Sequence, residues 1–293
     1  MSYATRYHQV TYGSACPLCG GSIMGGEWCG HCFAPAEVIA SIEARDEVPH
    51  FLGVLGPSGV GKTVYLGILL DLLSRETCGL HGMGRGPFSL TLHRNLMLAL
   101  ERQRFPEKTP AEPDRWHWVH CEVSSRRKGS LFDIVTPDVA GEAVLGEIEN
   151  PGTRPTVRAL IQSCSGLVVL IDILQVVAEG QSQELFAMQL VTYLDSLRSS
   201  KRRKVELPVA LVFTKADLCE ETIGDPDAFA QANAPALWRL CDARLKRFRF
   251  FCSGVAGSCA RLIDEEGNES LVPLRVEPKG VVDPFAWLAT QIR

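Results

Sequence analysis

No apolar run in this chain approaches the roughly 20 residues that a membrane-crossing helix needs, so no bilayer span is expected. The opening residues, MSYATRYHQV, lack the hydrophobic stretch of a secretory leader. Basic charge is not in excess either. Thirty Lys and Arg stand against 34 Asp and Glu, a formal charge of −4, which argues against a surface given over to nucleic acid or acidic lipid. Aromatics make up only 8%, and the rest is ordinary for a globular protein, 46% hydrophobic and 22% charged. At 293 residues there is room for one large domain, or a medium one with an appendage, and for a full core. The simplest reading is a cytoplasmic protein.

Cysteine is plentiful, at eleven residues, and unevenly used. Seven stand singly in apolar or helical surroundings, as small buried hydrophobes do in a reducing compartment. The other four form CPLCGGSIMGGEWCGHC over residues 16–32, two C-x-x-C pairs nine residues apart. Each pair can supply two thiolates from one tight turn, so Cys16, Cys19, Cys29 and Cys32 are expected to hold one structural Zn²⁺. His31 is a spare nitrogen beside a set already complete. A thioredoxin-like redox pair would need a βαβ setting, which these residues lack. Residues 1–34 thus read as a metal-dependent docking module, its zinc remote from the nucleotide, too small to fold without its ion and too poor in Lys and Arg for nucleic acid. Residues 35–50 read as a short helix and linker.

From residue 51 the pattern changes. Short apolar runs at 51–55, 116–123, 131–135, 167–173, 207–213 and 248–252 alternate with amphipathic segments, among them 182–199, the stretch opening at Pro235, and 284–292. This predicts a three-layer α/β fold, a mostly parallel sheet with helices on both faces. Residues 77–115 are long enough to carry a helix of their own on Leu92, Leu96 and Leu100. Residues 257–282 read as a second insertion, a hairpin turning at EEGNE and a candidate partner surface. The basic run at 201–204 reads as a solvated helix end, and SSRRKGS at 124–130 as the cap of a hairpin.

Chemistry enters at FLGVLGPSGVGKTVYL, which matches G-x-x-x-x-G-K-[ST] between a strand and a helix. Backbone amides over Ser58, Gly59, Val60, Gly61, Lys62, Thr63 and Val64 would wrap phosphates at the positive end of the helix. Lys62 would reach the β- and γ-phosphates and Thr63 would ligate Mg²⁺. Downstream, PDVAGE puts Asp138 at a strand end, where it can hold Mg²⁺ through water, with the Gly141 amide beyond it. TKAD at 214–217 follows the strand 207–213.

Together these motifs resemble the P-loop GTPases of the translation-factor and Ras-like class over residues 51–293: a phosphate loop, D-x-x-G and [NT]-K-x-D. The zinc knuckle ahead of GPSGVGKTVYL is similar to the double-GTPase families of bacterial conflict systems. The resemblance implies that Thr214, Lys215 and Asp217 read guanine, that Ser253 brings a backbone amide to the base, and that Gly141 senses the γ-phosphate. It further implies a switch threonine, for which Thr109 is the candidate, and a catalytic role for Glu142 where Ras-like enzymes carry glutamine, with Arg115 and Arg154 near the switches. The ligands would be GTP or GDP, the cofactors Mg²⁺ and Zn²⁺, and the partner a protein effector or a second GTPase chain. A P-loop ATPase of another class, in which TKAD is accidental, and a pseudo-GTPase scaffold without turnover are the alternatives.

Overall fold

The computed structural model describes residues 15–24, 28–44, 50–76, 79–106, 118–125, 129–139, 141–179, 182–198, 204–219, 224–263 and 269–292. Thr109, Arg115, residues 201–203 of the basic run, residues 126–128 of the hairpin cap and the turn at 264–268 lie outside them.

A two-stranded ribbon, β1 (Ile23–Met24) and β2 (Trp28–Cys29), carries the cysteine pairs and leads into helix α1 (Ala36–Glu43). The main body is a seven-stranded sheet. Its strands are β3 (Phe51–Leu55), β4 (Leu80–Gly84), β5 (Trp118–Ser125), β6 (Gly129–Pro137), β7 (Gly166–Asp172), β8 (Val209–Thr214) and β9 (Phe248–Cys252). They lie in the order β4-β5-β6-β3-β7-β8-β9, and of these seven only β5 runs against the others. Every residue of β3, β7 and β8 is buried, as strands covered on both faces must be.

Helices cover the two faces: α2 (Lys62–Ser74), α3 (Gly86–Glu101), α4 (Gly141–Glu149), α5 (Pro155–Ser163), α6 (Ile173–Glu179), α7 (Ser182–Ser196), α8 (Pro226–Asn233), α9 (Pro235–Arg244) and α10 (Asp283–Gln291). Leu92, Leu96 and Leu100 are the buried face of α3, as their spacing predicts. The hairpin β10 (Ser258–Ile263) with β11 (Glu269–Arg275) pairs antiparallel, also as expected. Strand β4 carries no sequence signal: LHGMG is glycine-rich, and its pairing to β5 outweighs its weak propensity.

Two apolar clusters flank the sheet. One joins α2, α3 and α10 to the sheet; the other joins α4, α5, α7 and α9 to it and runs on into the cysteine ribbon through Leu18, Ile23, Val38 and Ile39. The N-terminal module thus shares one of the two apolar clusters with the sheet. Among the described residues no helix is long and apolar enough to cross a membrane.

Candidate nucleotide cradle and cysteine centre

β3 is the central strand, with β6 on one side and β7 on the other. Ligands in open parallel sheets bind at the carboxyl ends of strands where the winding changes direction, and that crevice opens above Leu55. Here the chain turns through Gly56–Gly61 into α2. Gly59 and Gly61 sit at φ +76° and +92°, which side chains resist, so glycine lets the loop curl with its amides inward. Lys62 starts α2 and folds back over this loop, its Nζ donating to Gly56 O and Pro57 O at 3.0 Å each. Burial pushes its amine down to about 8, against the opposing pull of the Asp138 and then the Glu142 carboxylates. Thr63 Oγ1 donates to Asp138 Oδ2 at 2.6 Å, so the two residues expected at Mg²⁺ touch. A hydroxyl and a carboxylate are hard oxygen donors of the type Mg²⁺ takes.

Gly141 closes this end of the cradle. A Cβ there would lie 2.1 Å from Ser58 N and 2.3 Å from Pro57 C, so only glycine lets the turn after Asp138 press on the phosphate loop. Glu142, in the first turn of α4, is exposed and lines the same cavity. Arg154 caps α5, and its backbone N–H donates to Glu147 Oε2.

At the other end, Thr214 Oγ1 bonds Val60 O at 3.0 Å and Ile171 O at 3.2 Å, stitching the TKAD loop to the phosphate loop. Lys215 adopts a left-handed backbone (φ +60°), and its Nζ pairs with Asp172 Oδ2 at 2.5 Å. Asp217 Oδ2 accepts three successive amides, from Val255 (3.2 Å), Ala256 (2.6 Å) and Gly257 (3.0 Å). Ser253 is buried, its N–H donating to Phe213 O and its carbonyl accepting from Ala216 N.

One cavity of about 320 Å³ collects Ser58–Tyr65, Gly141, Glu142, Thr214, Lys215, Asp217 and Ser253. Its remaining walls come from places that motif reading does not reach: Phe105 and Pro106 after α3, Val255 and Ala256, and Cys259 and Leu271 of the hairpin. Asp172 is also missed, although a carboxylate ending the apolar run GLVVLID is a visible signal. The two insertions thus form part of the cavity wall.

The second centre is the cysteine quartet. All four Sγ atoms lie within 4.8 Å of one another. Cys16 and Cys32 are 3.7 Å apart, and Cys19 and Cys29 3.6 Å. A tetrahedron with Zn–S bonds of about 2.3 Å has edges of about 3.8 Å, so these four thiols fit zinc. The amides of Gly21 and His31 donate to Cys19 and Cys29 sulfur at 3.4 Å, the expected knuckle pattern. Hydrogen bonds from Cys16 and Cys32 hold the Cys19 thiol well below its ordinary value; the Cys19 contact pushes Cys16 up to about 12, and the Cys16 contact pushes Cys32 higher still. Metal entering such a site displaces protons.

With this geometry in place, comparison with known proteins places the chain. Residues 50–254, 205 of the 293, match the family model described as Double-GTPase 2. No curated protein sequence matches. Solved structures of similar outline include nucleolar GTP-binding protein 1 from Plasmodium falciparum (13% identity, 71% of this chain and 78% of that one, TM-score 0.38). They also include the Arl6 BBS3 small GTPase from Trypanosoma brucei (12%, 83% and 99%, 0.37) and the signal recognition particle receptor SRb-GTP/SRX complex from Chaetomium thermophilum (16%, 71% and 91%, 0.38). At such scores these likenesses add no weight, and the assignment rests on the family match. The chain belongs to the Double-GTPase 2 family of P-loop GTPases.

Proposed function

We propose that the protein is a Mg²⁺-dependent GTPase that works as a slow nucleotide switch, with a zinc knuckle in its N-terminal module. The observation that carries this is the Thr214–Val60 bond, which puts a phosphate-wrapping loop and a base-reading carboxylate, Asp217, on one cavity. Thr63 and Asp138 would hold Mg²⁺, which neutralises charge on the phosphates when bound. Chromatography of nucleotide extracted from the purified protein tests the reading: guanine nucleotide is expected, and adenine nucleotide alone would overturn it.

Turnover is expected to be slow. Glu142 faces the cavity where a water would attack and can accept that water's hydrogen bond, but its charge opposes the γ-phosphate. Arginines that stabilise such transition states are often supplied by a partner, and we assign that role to an effector or a second GTPase chain. Glu142→Ala should lower partner-stimulated single-turnover phosphate release by about tenfold or more, with GTP affinity within about threefold. An unchanged stimulated rate would leave Glu142 as a carboxylate favouring a helix start.

The zinc assignment carries its own test. Cys16→Ser or Cys29→Ser should lose the single zinc from the full chain, read by atomic emission, because a site of three thiolates and a hydroxyl binds far more weakly. One zinc per chain in the double variant would refute it. We place the protein in the cytoplasm on the unpaired cysteines among the described residues, and in a bacterial conflict system on the resemblance of the knuckle and motifs to that group.

A further inference from the structure

We propose that the cysteine knuckle is a built-in clamp on the Asp138–Gly141 turn, tied both to the strand that enters the turn and to the helices that leave it. The inference builds on the GTPase reading of that turn.

On the leaving side, the knuckle docks through His31, which lies between Cys29 and Cys32. Its carbonyl accepts Thr156 Oγ1–H at 3.1 Å, and Thr156, in the first turn of α5, is only 5% exposed. The start of α5 is fastened to α4 by Glu147, which is fully buried. Its Oε1 accepts Gly152 N at 2.9 Å and Tyr193 Oη at 2.8 Å, and its Oε2 accepts Arg154 N at 2.7 Å. α4 begins at Gly141, whose backbone presses on Ser58. Contacts therefore run without a gap from knuckle to α5, α4 and phosphate loop.

On the entering side, α1 leaves the knuckle and places Ser41 Oγ 2.7 Å from His120 Nδ1 in β5. His120 Nε2–H donates to Asp133 Oδ2 at 2.7 Å, both side chains being at most 1% exposed. Asp133 lies in β6, five residues before Asp138. Such a buried pair adds little stability over apolar packing, and its best-attested use is to fix one arrangement of the elements it joins. Here the pair joins β5 to β6, the strand that ends at Pro137 just before Asp138, and Ser41 ties the knuckle's helix to the same histidine. Between the two ties, Leu18 and Ile39 share a continuous core with Val139, Val144 and Val157.

The consequence is reciprocal. A triphosphate that draws the Gly141 amide inward must move or brace α4, which the metal-bound knuckle holds. If the knuckle biases the turn, the nucleotide must bias the knuckle by the same factor. A non-hydrolysable GTP analogue should therefore tighten zinc binding by the full chain, measured by equilibrium competition with a chromogenic chelator, by about three- to tenfold relative to GDP, the coupling expected of about one hydrogen bond. Thr156→Val should keep one zinc per chain but abolish that difference, and Thr156→Ser should restore it. Independently of nucleotide, Thr156→Val should speed amide hydrogen exchange across residues 142–149. The clamp stands only if both results hold. Equal zinc affinity with GDP and the analogue, or unchanged exchange over 142–149, overturns it. Should no guanine nucleotide bind, the GTPase reading fails separately and the exchange measurement alone decides the clamp.

Discussion

Lys62→Ala is expected to lower triphosphate affinity by on the order of 10³-fold, which is about 4 kcal/mol and matches the loss of two charge-assisted hydrogen bonds. Lys62 is 7% exposed, and its ammonium donates to Gly56 O and Pro57 O, carbonyls whose place phosphate oxygens can take. Its amine, pushed down to about 8 by burial, makes the effect pH-dependent. As far as this group sets it, affinity should be level up to about pH 8. Above that it should fall by up to about tenfold per pH unit, because phosphate wants the protonated form. The sign for stability is opposite. Between about 8 and the ordinary lysine value near 10.4 the unfolded chain binds more protons than the folded one, so ligand-free stability should rise with pH through that window. Below it, the cost of burying the ammonium is fully present. Calorimetric titration across pH 7 to 10 checks both parts; wild-type affinity in the alanine variant would mean that the loop does not hold phosphate.

Asp217→Asn is expected to change which base is bound. The carboxylate is oriented on the cavity wall by the amides of Val255, Ala256 and Gly257, which donate to its Oδ2. Guanine offers N1–H and an exocyclic amine to such an acceptor. Adenine presents a lone pair at N1, which the carboxylate repels. Sites that rest on buried hydrogen bonds reject such analogues by about 10⁴-fold or more. An asparagine in the same place offers one acceptor and one donor, the complement of N1–H and the C2 carbonyl of xanthine. GTP affinity should drop by about 10²-fold or more, and XTP should become the preferred triphosphate. Competition against labelled GTP with GTP, XTP and ATP measures this. ATP competing equally with GTP in the wild type would overturn the assignment.

Both experiments concern residues visible as motifs, and the visibility has a physical cause. A phosphate loop works through backbone amides over eight consecutive residues, and the order of the next two motifs follows from the order of strands. Such signals survive in the chain without knowledge of the fold. Phe105, Cys259 and Leu271 leave no trace because their place on the cavity depends on where α3 and the β10–β11 hairpin come to rest. Likewise β4 pairs with β5 across a separation that no local pattern encodes, and its glycines read as loop.

The clearest division lies in the N-terminal module. The spacing of the four cysteines alone leads to the expectation of one zinc ion, because a tight turn and a tetrahedron leave few other solutions. Spacing says nothing of what the knuckle rests on. A module this small cannot bury its own apolar residues, so Leu18, Ile23 and Ile39 take cover in the larger core. The bonds Ser41–His120 and Thr156–His31 join residues 79 and 125 positions apart, so only the closed sheet and its packed helices bring them together. The sequence alone pointed to both centres, through groups that act over a few neighbouring residues. The tertiary structure decided that the cysteine module packs on β5 and α5 and shares their core, because burial of apolar surface, unlike motif spacing, is a property of the whole chain.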